Sequence, residues 1–264
     1  MTRKSLGAIV ALALTLGACS QTPTGRSQLT LFSNEEIDRM GDQSFTQYQQ
    51  ELPTVGGQTA DYVQCVANAI TAQVDNGENW EVKVFKDDSA NAFALPGGHI
   101  GVNTGILKVA KNQDQLATVL GHEVSHVLAH HANERVSTQA ATQTGLSVLQ
   151  SAAGLDSQGG QQVMGLLGMG AKYGVLMPFS RKQESEADNL GLDLMARAGF
   201  DPRESIELWQ NMSAASQGQP PAWMSTHPSH GQRIDGLDAQ MNQALELYQQ
   251  ARAAGRTPNC QRPG

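Results

Sequence analysis

From Val119 to Ala129 every position is apolar or small except His122, Glu123 and His126. An apolar run of that length, with no polar face, predicts a buried helix over about 113–131. Ser33-Asn34-Glu35-Glu36 is a capping box, opening a helix to about residue 50 with Ile37, Met40, Gly41, Phe45 and Tyr48 inward. A second helix, over about 59–75, turns Tyr62, Val66, Ala69, Ile70 and Val74 inward. Trp80, Val82 and Val84 alternate with Glu81 and Lys83, which is the period of a strand. Asn91 to Leu95 and His99 to Val102 are two more strands, joined as a hairpin at Pro96-Gly97-Gly98. The expected fold is α+β and mainly helical, with a small antiparallel sheet beside the apolar helix.

The region from about 138 to 176 changes character. It is rich in Ala, Gly, Gln and Ser, and Asp156 is its one charged residue between Gln139 and Ala171. Helical spacing of Leu and Met predicts a helical hairpin excursion, broken at Ser157-Gln158-Gly159-Gly160. Residues 31–264 otherwise read as one domain.

The apolar helix carries H-E-x-x-H. At 3.6 residues per turn, His122 and His126 stand one turn apart on one face, with Cβ atoms roughly 6 Å apart. Two neutral imidazoles at that spacing can share one zinc ion. Glu123 lies about 100° round the helix, too far to ligate in the same way but placed to deprotonate a water. His130 is about 12 Å along the axis from His122 and cannot share the metal; with His131 it is expected in solvent or behind the ligands. Ala129 and Ala132 stand where a glycine and a third histidine would extend the motif, so that extended zinc-binding class is excluded.

A third ligand is expected from the helix beginning near Ser180 and running to about Ala198. Its small or apolar stripe is Ala187, Gly191, Leu194, Met195 and Ala198. Projected back, the stripe reaches Gln183 and Glu184, with Asp188 at its margin one turn on. Glu186 falls on the opposite face with Asn189, Asp193 and Arg197 and is expected in water. Two inward carboxylates need a partner, and a metal with its histidines is sufficient. Glu184 is therefore assigned as third ligand, and Asp188 as an acceptor orienting a zinc-bound histidine.

The amino terminus and the charge change where such a centre would work. Arg3 and Lys4 precede the apolar run Leu6 to Leu16, which is too short to span a bilayer and reads as a signal peptide over residues 1–18. Leu16-Gly17-Ala18-Cys19 resembles the lipobox of bacterial lipoproteins. This implies cleavage before a lipidated Cys19, and Ser20 in the next position implies sorting to the outer membrane. Residues 19–30, polar with Pro23 and Gly25, read as a flexible tether. Removing Met1 to Ala18 leaves 246 residues and takes the formal charge from −7 to −9. An acidic chain without a basic run argues against nucleic acid as a partner. Cys65 and Cys260 are then the remaining thiols, and an oxidising compartment predicts a disulfide between them.

Three motifs in order, H-E-V-S-H, F-S-R-K-Q-E-S-E-A-D-N-L-G and S-T-H-P-S-H-G-Q-R-I, resemble the HtpX/Ste/Oma-type zinc metallopeptidases. The similarity covers about Leu31 to Tyr248 and is nearest to the small periplasmic lipoprotein members of the LoiP and BepA type, without a tetratricopeptide array. The resemblance implies a zincin-type fold, one Zn2+ per chain, and Glu184 as the zinc glutamate, in agreement with the helix-face reading. It also implies catalytic parts for His227 and Arg233, which match the family's H-P-x-x-x-x-R segment. Pro228 bars His227 from helical geometry, and Ser229 with Gln232 caps a final helix to about residue 249, with Arg233 in its first turn. Either residue could stabilise an oxyanion, and His227 could instead cover the metal.

In zinc peptidases of this plan an edge strand beside the metal pairs with the substrate backbone. Asn91, Ala92, Phe93 and Ala94 are the candidates for it. The expected activity is zinc-dependent endopeptidase action on the periplasmic face of the outer membrane. The clients would be misfolded or stalled outer-membrane proteins, with outer-membrane assembly machinery as a further partner. A zinc-binding chaperone or assembly factor that cleaves rarely is the alternative.

Overall fold

The computed structural model describes residues 19–75, 77, 79–152, 179–215, 222–227 and 233–263. The signal peptide read over 1–18, the break and the whole second arm of the 138–176 excursion, and the Ser229–Gln232 cap lie outside the described residues.

A central helix, α3 (Gln113–Leu128), is wrapped on every side. Twelve of its residues are buried, including His122, Glu123 and His126, which is what its all-round apolar pattern demands. Asn112 caps it by accepting from the Gln115 amide. Helix α1 (Asn34–Glu51) opens on the expected capping box, with Ser33 and Glu36 bonding each other's backbone. Helix α2 (Gln58–Thr71) buries Tyr62, Val63, Val66, Ala67 and Ile70 in the core that α3 shares.

The sheet beside α3 holds β3 (Glu81–Phe85), β4 (Ala92–Leu95) and β5 (His99–Asn103) in the order β3-β5-β4. β4 and β5 form the expected antiparallel hairpin, with Leu95 opposite His99. Gly97 and Gly98 turn it at φ 83° and 78°, conformations that L-residues with a Cβ avoid. The sheet is nevertheless mixed, because β3 runs parallel to β5, with Glu81 opposite His99. The segment 86–91 carries the chain across, and the outer edge of β3 is closed by Val55 N–H donating to the Val84 carbonyl at 2.8 Å. β4 is thus an edge, packed against α3.

Two other expectations are corrected. Residues 19–30 fold as a small antiparallel hairpin, β1 (Cys19–Gln21) with β2 (Ser27–Leu29). Thr22 and Gln28 are buried, and Arg26 is held by Glu134 and Glu186. A polar composition was compatible with a tether, but Arg26 and Thr24 find charged partners in the domain. The apolar helix also stops earlier than its pattern suggests. His130 takes φ 53°, and α4 (His131–Ala152) starts in a new direction, so His131 is buried whereas His130 is exposed.

Helix α5 (Arg181–Ala198) lies across α3, opened by a Ser180–Gln183 capping box and ended at Gly199 with φ 90°. Helix α6 (Glu204–Ala215) packs on α3, the short α7 (Ala222–Thr226) follows it, and α8 (Arg233–Ala253) packs on α5. Cys65 and Cys260 are joined by a disulfide, Cα atoms 5.7 Å apart, which ties α2 to a tail docked on the start of α3 through Gln113. Among the described residues no helix is long and apolar enough to cross a membrane.

The α3–α5 crossing is closer than side chains allow. A Cβ on Gly191 would stand 2.7 Å from the His122 nitrogen and 2.9 Å from the Gly121 carbonyl carbon, both rigid backbone. Gly191→Ala should therefore lower stability by about 1–3 kcal/mol through overpacking. Alanine raises helix propensity by roughly 1 kcal/mol, so urea unfolding that shows a gain would refute the close crossing.

Candidate metal centre

The crossing sets α3 and α5 face to face at His122, His126, Glu184 and Asp188. One turn of α3 brings the Nε2 atoms of His122 and His126 to 3.0 Å. Glu184, fully buried on α5, reaches them with one oxygen 3.6 Å from His126 Nε2 and the other 3.6 Å from His122 Nε2. His227, at the end of α7, adds its Nδ1 at 3.1 Å from His122 Nε2 and 3.0 Å from Glu184 Oε1. All four residues offer a ligand atom within 4.8 Å of the others, and all are buried.

These distances test the fit of a metal. Four donors at 2.0–2.2 Å around a tetrahedral zinc stand about 3.3 Å from each other. The observed spacings of 3.0–3.6 Å bracket that value. Burial, with neighbouring histidines adding to it, pushes His126 well below the ordinary histidine range, which leaves the neutral imidazole that zinc requires. The donor set of histidines and a carboxylate fits Zn2+.

His122 meets a carboxylate on α5. Its Nδ1 lies 3.0 Å from Asp188 Oδ1, which fixes the tautomer with Nε2 free. Burial would raise the Asp188 carboxyl, but the Arg233 charge and the His122 hydrogen bond hold it down at about 2. Glu184 is likewise lowered: burial raises it, and His227, His122 and Arg233 outweigh that.

Arg233 requires a correction. Read from the sequence as an oxyanion partner, it stands on the other side of the ligands, at the start of α8. Its Nε donates to Asp188 Oδ2 at 2.7 Å and its Nη1 to Glu184 Oε2 at 2.8 Å, while Nη2 donates to Asp188 Oδ1. The Trp209 ring covers the guanidinium face at 4.0 Å. With Nε, Nη1 and Nη2 each donating to a carboxylate, the fork is directed at Asp188 and Glu184. Arg233 positions the carboxylates.

Glu123 points to the open side of the cluster, where the α7 segment covers it. Trp223 Nε1–H donates to Glu123 Oε1 at 2.5 Å, and His227 Nε2 is 3.5 Å from the same oxygen. Trp223 stacks on His227 and is itself tied to the sheet by donating its backbone N–H to the Ala90 carbonyl at 3.0 Å. The candidate substrate strand lies next to that tie. Ala92 and Ala94 face the core shared with α3, whereas the Phe93 ring packs on Tyr48 with centroids 4.5 Å apart. What β4 can offer a ligand is therefore its backbone edge.

Several site residues were not legible in the chain. Trp223 sits close before His227 but carries no motif of its own. Phe179 stacks on His126 at 3.9 Å and is covered in turn by Arg135 at 4.2 Å. Glu186, expected in water, is buried and accepts from Arg26, Thr24 and His131. Burial raises its carboxyl, but these hydrogen bonds and one from Thr22 hold it down at about 2. Nothing in the helix period of α5 could have disclosed that the β1–β2 hairpin lies over that face.

A helix-borne H-E-x-x-H completed by a glutamate from a crossing helix defines a metallopeptidase centre of the zincin class. The chain belongs to peptidase family M48, whose family model matches residues 57–241. It is similar to the mitochondrial metalloendopeptidase OMA1 of Schizosaccharomyces pombe, 42% identical over 62% of this chain and 48% of that protein. It is similar also to mitochondrial metalloendopeptidase OMA1 of Homo sapiens, 32% identical over 85% of this chain and 46% of that one. The beta-barrel assembly-enhancing protease of Escherichia coli is 24% identical over 94% of this chain and 54% of its own length. The chain spans about half the length of the relatives it matches.

Removing Arg233 would leave the Asp188 and Glu184 charges buried together. Arg233→Ala should cost about 3–5 kcal/mol in chemical denaturation of the metal-free protein. A loss below 1 kcal/mol would contradict the buried network.

Proposed function

We propose that this chain is a zinc-dependent endopeptidase of the bacterial cell envelope. The four-donor cluster with Glu123 beside it is the observation that carries the reading. His122, His126 and Glu184 hold the metal, with Asp188 and Arg233 orienting them. A zinc ion bound there supplies Lewis acidity, which makes a water acidic and polarises a scissile carbonyl. Glu123 takes the water's proton and returns it to the leaving amine. The backbone edge of Asn91 to Ala94 binds the substrate as an added strand, which gives affinity with little side-chain selection. Asn91 Oδ1, buried without a hydrogen-bond partner among the described residues, supports a ligand contact at the start of that edge.

His227 acts as a cover. Its Nδ1 occupies the fourth donor position, and with Trp223 it occludes Glu123. Substrate must displace the α7 segment before Glu123 can act. The same observation favours a second reading, a zinc-binding chaperone or assembly factor that cleaves rarely.

The envelope role rests on the lipobox-like Leu16-Gly17-Ala18-Cys19 and on the similarity to the beta-barrel assembly-enhancing protease. The natural clients are then unfolded or misassembled outer-membrane proteins, met beside their assembly machinery by a chain anchored through Cys19 to the periplasmic face of the outer membrane. The OMA1 relatives are named as mitochondrial, so location is a separate question from chemistry.

With zinc bound, wild type should cleave an unfolded model protein, and Glu123→Gln should be slower by about 10²–10⁴ while retaining zinc. Equal rates would eliminate Glu123 as base. His227→Ala should cleave faster than wild type with zinc still bound. If wild type and His227→Ala are both inert while Glu123→Gln restores function in cells, the binding reading replaces the protease.

A further inference from the structure

The two metal-facing histidines are supported differently. His122 rests directly on Asp188, but His126 faces another imidazole. His131, buried at the start of α4, places its Nδ1 2.9 Å from His126 Nδ1. Its Nε2 lies 3.1 Å from Glu186 Oε2. That same carboxylate oxygen accepts from Arg26 Nε at 2.8 Å, and Thr24 donates to the other oxygen. Arg26 is fixed in turn by Glu134, with Nη1 and Nη2 donating at 2.6 and 2.8 Å, and Glu134 accepts from Gln183 at 2.8 Å.

With His131 neutral, the hydrogen-bonding capacities along this chain leave one arrangement. Arg26 and Thr24 are donors, so Glu186 serves them as an ionised acceptor. An ionised Glu186 can only accept from His131, which puts that ring's proton on Nε2. A neutral His131 with its proton on Nε2 has a bare Nδ1, so the contact with His126 requires the His126 proton on Nδ1. The His126 Nε2 lone pair is then turned toward Glu184 and His122. We propose that His131, Glu186 and Arg26 are positioning residues that set the tautomer and ring orientation of His126 for the metal. The β1–β2 hairpin, which begins at Cys19, thereby becomes part of the metal centre. This inference rests on the assignment of His126 as a ligand made above.

The function of this chain of contacts is separable from its contribution to folding. His131→Leu keeps an apolar filler and removes the acceptor for His126. His131→Asn puts a carboxamide oxygen near the position of Nδ1 and restores it. Arg26→Gln, at a partly exposed position, weakens the hold on Glu186 without opening the core. Val66→Ala, a fully buried site on α2, is the control for lost stability alone.

Zinc affinity of the full chain would be measured by chelator competition on the metal-free protein, with the visible spectrum of the cobalt-substituted form as a second readout. His131→Leu should weaken zinc about 10–100-fold and alter the cobalt spectrum. His131→Asn should recover most of that loss, Arg26→Gln should weaken zinc several-fold, and Val66→Ala should leave affinity unchanged. Wild-type affinity in both His131→Leu and Arg26→Gln would overturn the proposal. So would an Asn variant as weak as the Leu variant, which would reduce His131 to packing. If His131→Leu does not fold, unchanged affinity in Arg26→Gln is enough to overturn it. Failure of the wild type itself to bind zinc, matched by His122→Ala, would instead overturn the metal assignment beneath it.

Discussion

The close passage of α3 over α5 governs everything else in this molecule. Gly121 and Gly191 face each other there with backbone against backbone, and no side chain larger than hydrogen fits. Two helices separated by ordinary side chains sit about 8–10 Å apart. The closer passage sets how deeply a glutamate on one helix reaches between two histidines on the other. The glycines are where helix packing becomes coordination geometry: His122 adjoins Gly121 with His126 just over a turn on, and Asp188 and Glu184 lie about one and two turns before Gly191.

Around that crossing the protein spends buried charge to hold imidazoles still. Asp188 and Arg233 support one side, and Glu186 and Arg26 the other through His131. Each carboxylate has a guanidinium partner, which is how a folded interior tolerates so many ionised groups near one point. The two supports come from opposite ends of the chain, the first hairpin and the last helix. The centre is thus assembled only when the whole domain has folded.

The open side is covered by a short element, α7, tied to the sheet at Ala90 and to the centre by Trp223 and His227. The same tie joins the cover to the root of the edge strand β4. On the strand addition proposed above, a ligand at β4 would meet the cover at the point where it is anchored.

The sequence by itself determined the central helix, its two histidines and glutamate, the inward face of α5 and the Ser33–Glu36 capping box, because these depend on contacts within one or two turns. Family resemblance brought in His227 and Arg233, and the remaining cysteine pair pointed to the bridge that the structure closes. Tertiary structure alone decided what those residues touch. Arg233 turned from an oxyanion partner into a clamp on two carboxylates, since its surroundings come from α5 and Trp209 rather than from its own helix. Glu186 moved from solvent to the interior because a polar hairpin, indistinguishable from a tether by composition, folds over it. His131 came to rest against His126 because the helix breaks at His130, a left-handed residue that an uninterrupted period of 3.6 cannot anticipate. Local periodicity places a residue on a face, and only packing between distant elements decides what that face meets.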